Sequence, residues 1–261
     1  MDYLVLESVY GDRNHEDKME SVNRFKSIIM KAIKDNGVIL VPAFSIERTQ
    51  ELLFYIHDMV LRGEMPKIPI YLDSPLAIKI TSIYRKYFKY LNTKSKDFIL
   101  NGEDIFNFPN LYQTLNKEES KAIANIHGCK MIIAGSGMST GGRIIHHEKS
   151  YLGLKTTNLI LVGYQSIGSL GRLLQEGIKN IKIQNQDIIV RAHIESIGGF
   201  SAHKDSKHLV QYVKDNSNNL KKVFVVLGEP KSEIFLAQRI REYVGVEALT
   251  QKENEIIEIE V

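Results

Sequence analysis

The strongest constraint on this chain is an alternation. Short runs rich in β-branched and apolar residues, "YLVLES", "VILVPAF" and "IPIYLD", are separated by longer amphipathic stretches through "RFKSIIMKAIKDNG" and "ERTQELLFYIHDMVLRG". Strands joined through helices lie parallel, with the helices packed on the faces of the sheet. "KMIIAGSG" and "NLILVGYQ" continue the pattern, each followed by a glycine-bearing loop and a helix. One α/β body is expected to run to about residue 180. From "IKIQNQDIIVRAHIES" the texture changes to two closely spaced strand-like runs. They lead into "FSAHKDSKHLVQYVKDN", the strand-like "KKVFVVLGEP", a helix through "EIFLAQRIREYVG" and the alternating tail "NEIIEIEV". That is a second α/β unit, and with no repeat, low-complexity tract or long linker the two are expected to pack closely. The first strand begins at residue 3 with nothing before it to complete a sheet, as though the chain starts mid-domain.

At 261 residues the chain can form one large domain or two ordinary ones. A hydrophobic fraction of 43% with 25% charged residues excludes disorder over most of the length. The single cysteine, Cys129, excludes an internal disulfide and a multi-cysteine zinc site, fits a reducing compartment, and reads as a core residue beside "MIIA". No apolar run approaches the ~20 residues that span a bilayer, and the acidic "MDYLVLES" lacks the basic start of a signal peptide. No membrane partner and a cytoplasmic location are expected. The net charge of +3 is too small to argue for nucleic acid by itself, so local patches matter more.

The stretch "GSGMSTGGRIIHH", residues 135–147, places glycines and hydroxyls between a strand and a helix. Free amides and a helix start suit a bound phosphate, and a tight capping turn would use the same residues; both readings stand. The loop fits neither familiar nucleotide cradle, because Gly142 is followed by Arg143 and Ile144 rather than Lys and Ser/Thr, and the glycines miss the G-x-G-x-x-G spacing. Between Lys79 and Lys96 six basic residues and no acid are interleaved with Tyr84, Tyr87, Phe88 and Tyr90. Ile80, Ile83, Tyr84, Tyr87 and Leu91 fall at helical spacing, which favours an amphipathic helix with a solvated basic face over an RNA-stacking surface. None of the eight histidines forms H-E-x-x-H or H-x-H. His203, in "GGFSAHKD", sits at a turn marked by Gly198, Gly199, Ser201 and Asp205, where a carboxylate could hold an imidazole or where Ser201 or Asp205 simply caps a helix.

Taken together, "LVLESVYGDRNH", "VPAFSIERTQELL", "YLDSPLA", "GSGMSTGGRIIHH", "LVGYQSIGSLGRLL" and "GGFSAHKD" resemble, in order and over nearly the whole chain, the β-CASP branch of the metallo-β-lactamase fold. That family includes RNA-processing nucleases and the cleavage and polyadenylation specificity factor. The resemblance implies an α/β protein with a β-CASP cap of parallel sheet flanked by helices, plus the C-terminal half of a metallo-β-lactamase αββα fold. It divides the chain into residues 1–13, the last part of the first metallo-β-lactamase half; 14–180, the cap; and 181–261, the returning half.

In the family two zinc ions activate a water that attacks an RNA phosphodiester. By resemblance, Glu7 orients His203, which contacts the scissile phosphate and protonates the leaving oxygen, with Asp205 supporting the turn as the third catalytic residue. The RNA-binding set would be Ser74 with Ser136, Gly137, Met138, Ser139, Thr140, Gly141, Gly142 and Arg143, lining the cleft under the cap. The family's H-x-H-x-D-H motif and a later His and Asp have no counterpart here. Leu227, in "VVLGEPK", occupies the place of a zinc-ligand histidine, and an alkyl side chain cannot donate to zinc. Glu47 stands where the family usually has glycine. The expectation is a segment of a zinc-dependent ribonuclease that holds no stoichiometric zinc alone. Its partners would be RNA and a missing N-terminal metallo-β-lactamase half, a homologous subunit or a second copy in a homodimer. The alternative is a catalytically inactive RNA- or protein-binding β-CASP module.

Overall fold

The computed structural model describes residues 1–93, 95–96, 104–252 and 254–259. The chain forms two compact units, residues 17–200 and residues 1–16 with 201–261.

In the larger unit the strands β2 (Val38–Pro42), β3 (Ile70–Leu72), β4 (Leu111–Gln113), β5 (Lys130–Ala134), β6 (Asn158–Leu161) and β9 (His193–Ser196) form one parallel sheet in the order β4-β3-β5-β2-β6-β9. β2 is buried at every position because both faces are covered, as its unbroken apolar run requires. Ile39, Val41, Met131 and Ile133 meet Phe25 and Ile29 of α1 (Lys18–Lys34) and Leu52, Leu53 and Ile56 of α2 (Arg48–Leu61). On the opposite face Leu40, Ile132, Leu159 and Leu161 meet Ile144 and Tyr151 of α5 (Ile144–Tyr151), Leu174 of α6 (Leu170–Gln175), and the antiparallel hairpin β7 (Asn180–Ile183) and β8 (Gln186–Ile189). α3 (Pro75–Lys86) and the short α4 (Lys117–Ala122) follow β3 and β4. After β2 the chain crosses to β3, and after β5 it crosses to β6 in the opposite direction. The order therefore reverses between the adjacent strands β2 and β5, and the crevice at their carboxyl ends is where α/β sheets hold ligands.

In the smaller unit β1 (Tyr3–Glu7) pairs parallel with β10 (Lys222–Val226), which pairs parallel with β11 (Glu247–Thr250). Leu209 and Val213 of α7 (Ser206–Asp215) and Leu236 and Ile240 of α8 (Pro230–Val244) pack with Leu6, Val223, Val225 and Ala248.

The α/β class and the flanking helices agree with the expectation, and four details differ. Residues 181–200 pack with the larger compact unit, since Ile181, Ile183 and Ile188 fill its core and β9 bonds to β6, so the compact units divide at 17 and 200, whereas the bounds at 14 and 180 follow the family resemblance. The last strand is β11; residues 254–259 of the alternating tail carry no strand, and Glu260 and Val261 lie outside the described residues. α3 ends at Lys86, and its buried residues are Ala77 and Thr81; of the expected apolar stripe Tyr84 and Leu91 pack against the core while Ile83 and Tyr87 are exposed, and Lys94 of that basic segment lies outside the described residues. β4 and α4 were not legible, being short and weakly patterned. Among the described residues no helix is long and apolar enough to cross a membrane.

Candidate functional site

The crevice between β2 and β5 is walled by the loops after β2, β3 and β5. Ser74 caps α3 through the Ala77 amide at 3.2 Å, and its hydroxyl lies 3.3 Å from that of Ser45. Loop 135–142 folds on itself: the Ser136 amide donates to Gly141 O at 3.0 Å, the Ser139 amide to Ser136 O at 3.2 Å, and the Thr140 amide to Ser136 Oγ at 2.9 Å. Two glycines are required here. A Cβ on Gly137 would come within 2.8 Å of the Phe44 ring, and one on Gly142, whose φ is 72°, within 2.3 Å of Gly135 O. Behind the loop, buried Gln165 donates to Gly137 O at 3.0 Å and to Gly163 O at 3.1 Å. Among the described residues the amides of Gly137, Met138, Gly141 and Gly142 find no protein acceptor. Such a run of unpaired amides is an anion-binding concavity. A cavity of about 580 Å³ opens beside it, lined in part by Thr140, Gly141, Gly142, His146 and Lys182.

Three residues expected to contact RNA have side chains engaged within the fold. Arg143 donates through Nη1 to Asp73 Oδ1 at 2.6 Å and Thr114 O at 2.9 Å, and through Nη2 to Leu115 O at 3.0 Å, so it is a strut beneath the loop. The Ser139 hydroxyl is buried and donates to Glu148. Burial pushes the Glu148 carboxyl up to about 8 against that hydrogen bond. Met138 is tied down through its carbonyl, which accepts from the Gly171 amide at 3.1 Å, and its Sδ lies 3.3 Å from Ser166 Oγ.

Sequence reasoning missed the centre of this network. Asp73, at the end of β3, is fully buried and is also bonded by His147 Nε2 at 2.7 Å, Ser120 Oγ at 2.6 Å and the Thr114 hydroxyl. Burial alone would raise the Asp73 carboxyl, but the hydrogen bonds from His147, Ser120, Thr114 and Arg143 together hold it well below the ordinary carboxylate range. The available signal was the adjacent pair His146 and His147, which a helix sends to different sides: His147 is buried and His146 exposed.

In the smaller unit the carboxyl ends of β1 and β10 lie side by side, Glu7 in register with Val226. His203 Nδ1 donates to Glu7 Oε2 at 2.8 Å, and the Lys204 amide donates to Glu7 Oε1 at 3.2 Å. Asp205 does not join this pair. It is buried, caps α7 through the His208 amide at 3.0 Å, and accepts from the His15 amide at 3.0 Å and from His208 Nδ1 at 2.6 Å. Burial opposes its ionisation, yet these bonds hold its carboxyl below the usual range. Asp205 is therefore a positioning residue. His15, whose Nε2 donates to His203 O at 2.9 Å, supports the same turn.

Residues 49–174 match the Beta-Casp domain, and residues 187–251 match the Zn-dependent metallo-hydrolase RNA specificity domain. The chain belongs to the β-CASP branch of the metallo-β-lactamase fold. It is 33% identical over 237 residues to a ribonuclease of Thermus thermophilus, covering 91% of this chain and 54% of that protein. An RNase J-like protein of Methanocaldococcus jannaschii is 32% identical over 92% of this chain and 55% of its own length. The transcription termination factor FttA of Methanothermobacter thermautotrophicus is 31% identical over 98% of this chain and 41% of its own length. The chain thus spans about half the length or less of these β-CASP relatives.

The β-CASP family implies zinc, which needs converging nitrogen, sulfur or carboxylate donors. Among the described residues no three His, Cys, Asp or Glu side chains converge on a point that could hold a metal ion. Leu227, one residue past β10, is 80% exposed at φ 62° and offers only alkyl carbon. The described side chains do not by themselves fit a zinc pair.

Proposed function

We propose that this β-CASP chain binds RNA along loop 135–142 and contributes the Glu7–His203 pair of a ribonuclease. Metal donors, where hydrolysis occurs, would come from a metallo-β-lactamase half or a homologous subunit outside these residues. In this reading residues 14–180 act as the cap, and 1–13 with 181–261 as pieces of the metallo-β-lactamase domain. The carrying observation is the 2.8 Å bond between Glu7 and His203. With Nδ1–H given to the carboxylate, Nε2 of His203 is left to hold a proton and pass it to the oxygen that leaves when a phosphodiester is cleaved. The ribonuclease relatives and the unpaired amides of the loop support RNA as the anion. The single cysteine supports a reducing, cytoplasmic setting.

A second reading, an inactive RNA- or protein-binding module, is favoured by exposed Leu227 in the place of a donor. Both readings expect the isolated chain not to cut RNA; the first, and the second in its RNA-binding form, expect it to bind single-stranded RNA.

Gly141 tests the binding half, because a Cβ there meets nothing within 4 Å. Gly141→Glu adds a charge without a clash and should weaken RNA binding about tenfold with the melting temperature unchanged. Fluorescence anisotropy with a labelled single-stranded RNA reads this. Unchanged affinity makes the loop only a turn, and zinc-dependent cleavage by the purified chain overturns the expectation of no hydrolysis.

A further inference from the structure

A second concavity, of about 510 Å³, lies across Gly142 and His146 from the one beside the loop, and both residues line both cavities. Its other walls include Lys117, Ser120, Lys121 and Ser150. None of its lining residues is acidic. Its size lies within the ~300–1,000 Å³ of ordinary small-ligand pockets.

The charges around it are unevenly spent. Arg143 is held by Asp73 and two carbonyls, so its cation is used within the fold. Glu119, on the same helix as the two lysines, folds back to the helix start, where it accepts from the Leu115 amide at 2.7 Å and from Asn116 Nδ2 at 2.8 Å. Lys117 and Lys121 are one turn apart on α4, both exposed, and no protein acceptor engages either ammonium among the described residues. Ala124 and the lysine stems give the cleft apolar walls. A rim of two lysines and a histidine over apolar walls suits a phosphate carrying a flat ring.

We propose that this cleft is a second nucleotide subsite, in which Lys117 and Lys121 bind a backbone phosphate of a strand that also lies on loop 135–142, with His146 on the ridge between the two. The proposal rests on the RNA-binding reading above and extends it to residues outside the recognised loop.

The test uses the full chain and a labelled single-stranded RNA dodecamer. Lys117→Ala/Lys121→Ala should weaken binding about tenfold and flatten the slope of log affinity against log salt by about 1.4, the value for two phosphate contacts on a single strand. Alanine preserves the helix, so the melting temperature should hold. Lys117→Arg/Lys121→Arg should bind like the wild type. If the alanine pair binds with unchanged affinity and slope while Gly141→Glu loses binding, the subsite is overturned and the loop reading stands. A wild-type chain that binds no RNA overturns both. Inorganic phosphate and adenosine 5′-monophosphate are titrated in parallel. If either alone binds as tightly as the RNA, and that binding is lost in the alanine pair, the cleft serves a free anion and the strand assignment is overturned.

Discussion

Glu7 and His203 are 196 residues apart in the chain, yet Nδ1 of the histidine donates to the carboxylate across 2.8 Å. This bond selects the tautomer with the proton on Nδ1. Long-range proton–nitrogen correlation of the neutral imidazole should show that tautomer alone for His203, and Glu7→Ala should mix the two forms. A mixture already present in the wild type would mean that the pair is not formed.

Asp73 is a buried charge with every bond in place, so removing it leaves Arg143 without its counter-ion. Breaking such a pair costs about 3–5 kcal/mol, which for a chain this size is a loss of roughly 10 °C in melting temperature. Because its folded carboxyl lies below the unfolded one, the stabilisation is present above about pH 4 and is lost as pH falls through and below that value. Asp73→Asn should be less stable at pH 7 and show a flatter acid limb in thermal melts. A melting temperature at pH 7 equal to the wild type would disprove the account.

Glu148 has the opposite sign. Its folded carboxyl is raised to about 8 from the ordinary 4.5, so the unfolded chain binds fewer protons between those values and stability falls as pH rises through them. Glu148→Gln keeps an acceptor for Ser139 and removes the titration. Its melting temperature should gain on the wild type from pH 5 to pH 8, and parallel curves would show that Glu148 does not ionise in that window.

Leu227 combines a left-handed backbone with an exposed side chain, so it bears strain without burying area. A left-handed β-carbon costs roughly 1–2 kcal/mol, and glycine returns about half of that through chain entropy. Leu227→Gly should stabilise the chain by about 0.5–1 kcal/mol in urea melts, whereas Leu227→Ala should not. Equal gains in both variants would place the effect elsewhere.

β1 has β10 on one side only among the described strands, and Val5 at its middle is 68% exposed. An open apolar edge invites pairing between copies. Sedimentation should reveal self-association that Val5→Lys reduces, and a monomer at high concentration in the wild type would rule this edge out.

The parallel character of the sheet was legible because short unbroken apolar runs and stretches of period 3.6 are local signals, carried by contiguous residues such as 38–44 and 47–63. Glu7 and His203 were legible only as members of distant sequence blocks, since nothing local in "ESVYG" or "SAHKD" states that they meet. The bonds of Arg143 and Ser139 were not legible for one reason: a polar residue in a glycine-rich loop looks the same whether it faces solvent or a buried carboxylate. Asp73 decided that for Arg143, and Glu148 for Ser139.

The sequence by itself determined the class of fold, the family and the donors present, because these depend on residue type and order. Tertiary structure alone decided which groups were spent and which remained free. Asp73 gathers Thr114 and Ser120 from one stretch of chain and Arg143 and His147 from another, and burial made each of those bonds obligatory, because an unpaired charge inside the fold costs more than any exposed contact returns. The amides and lysines outside that network, at Gly137, Gly141, Gly142, Lys117 and Lys121, are what the folded chain leaves free for a ligand.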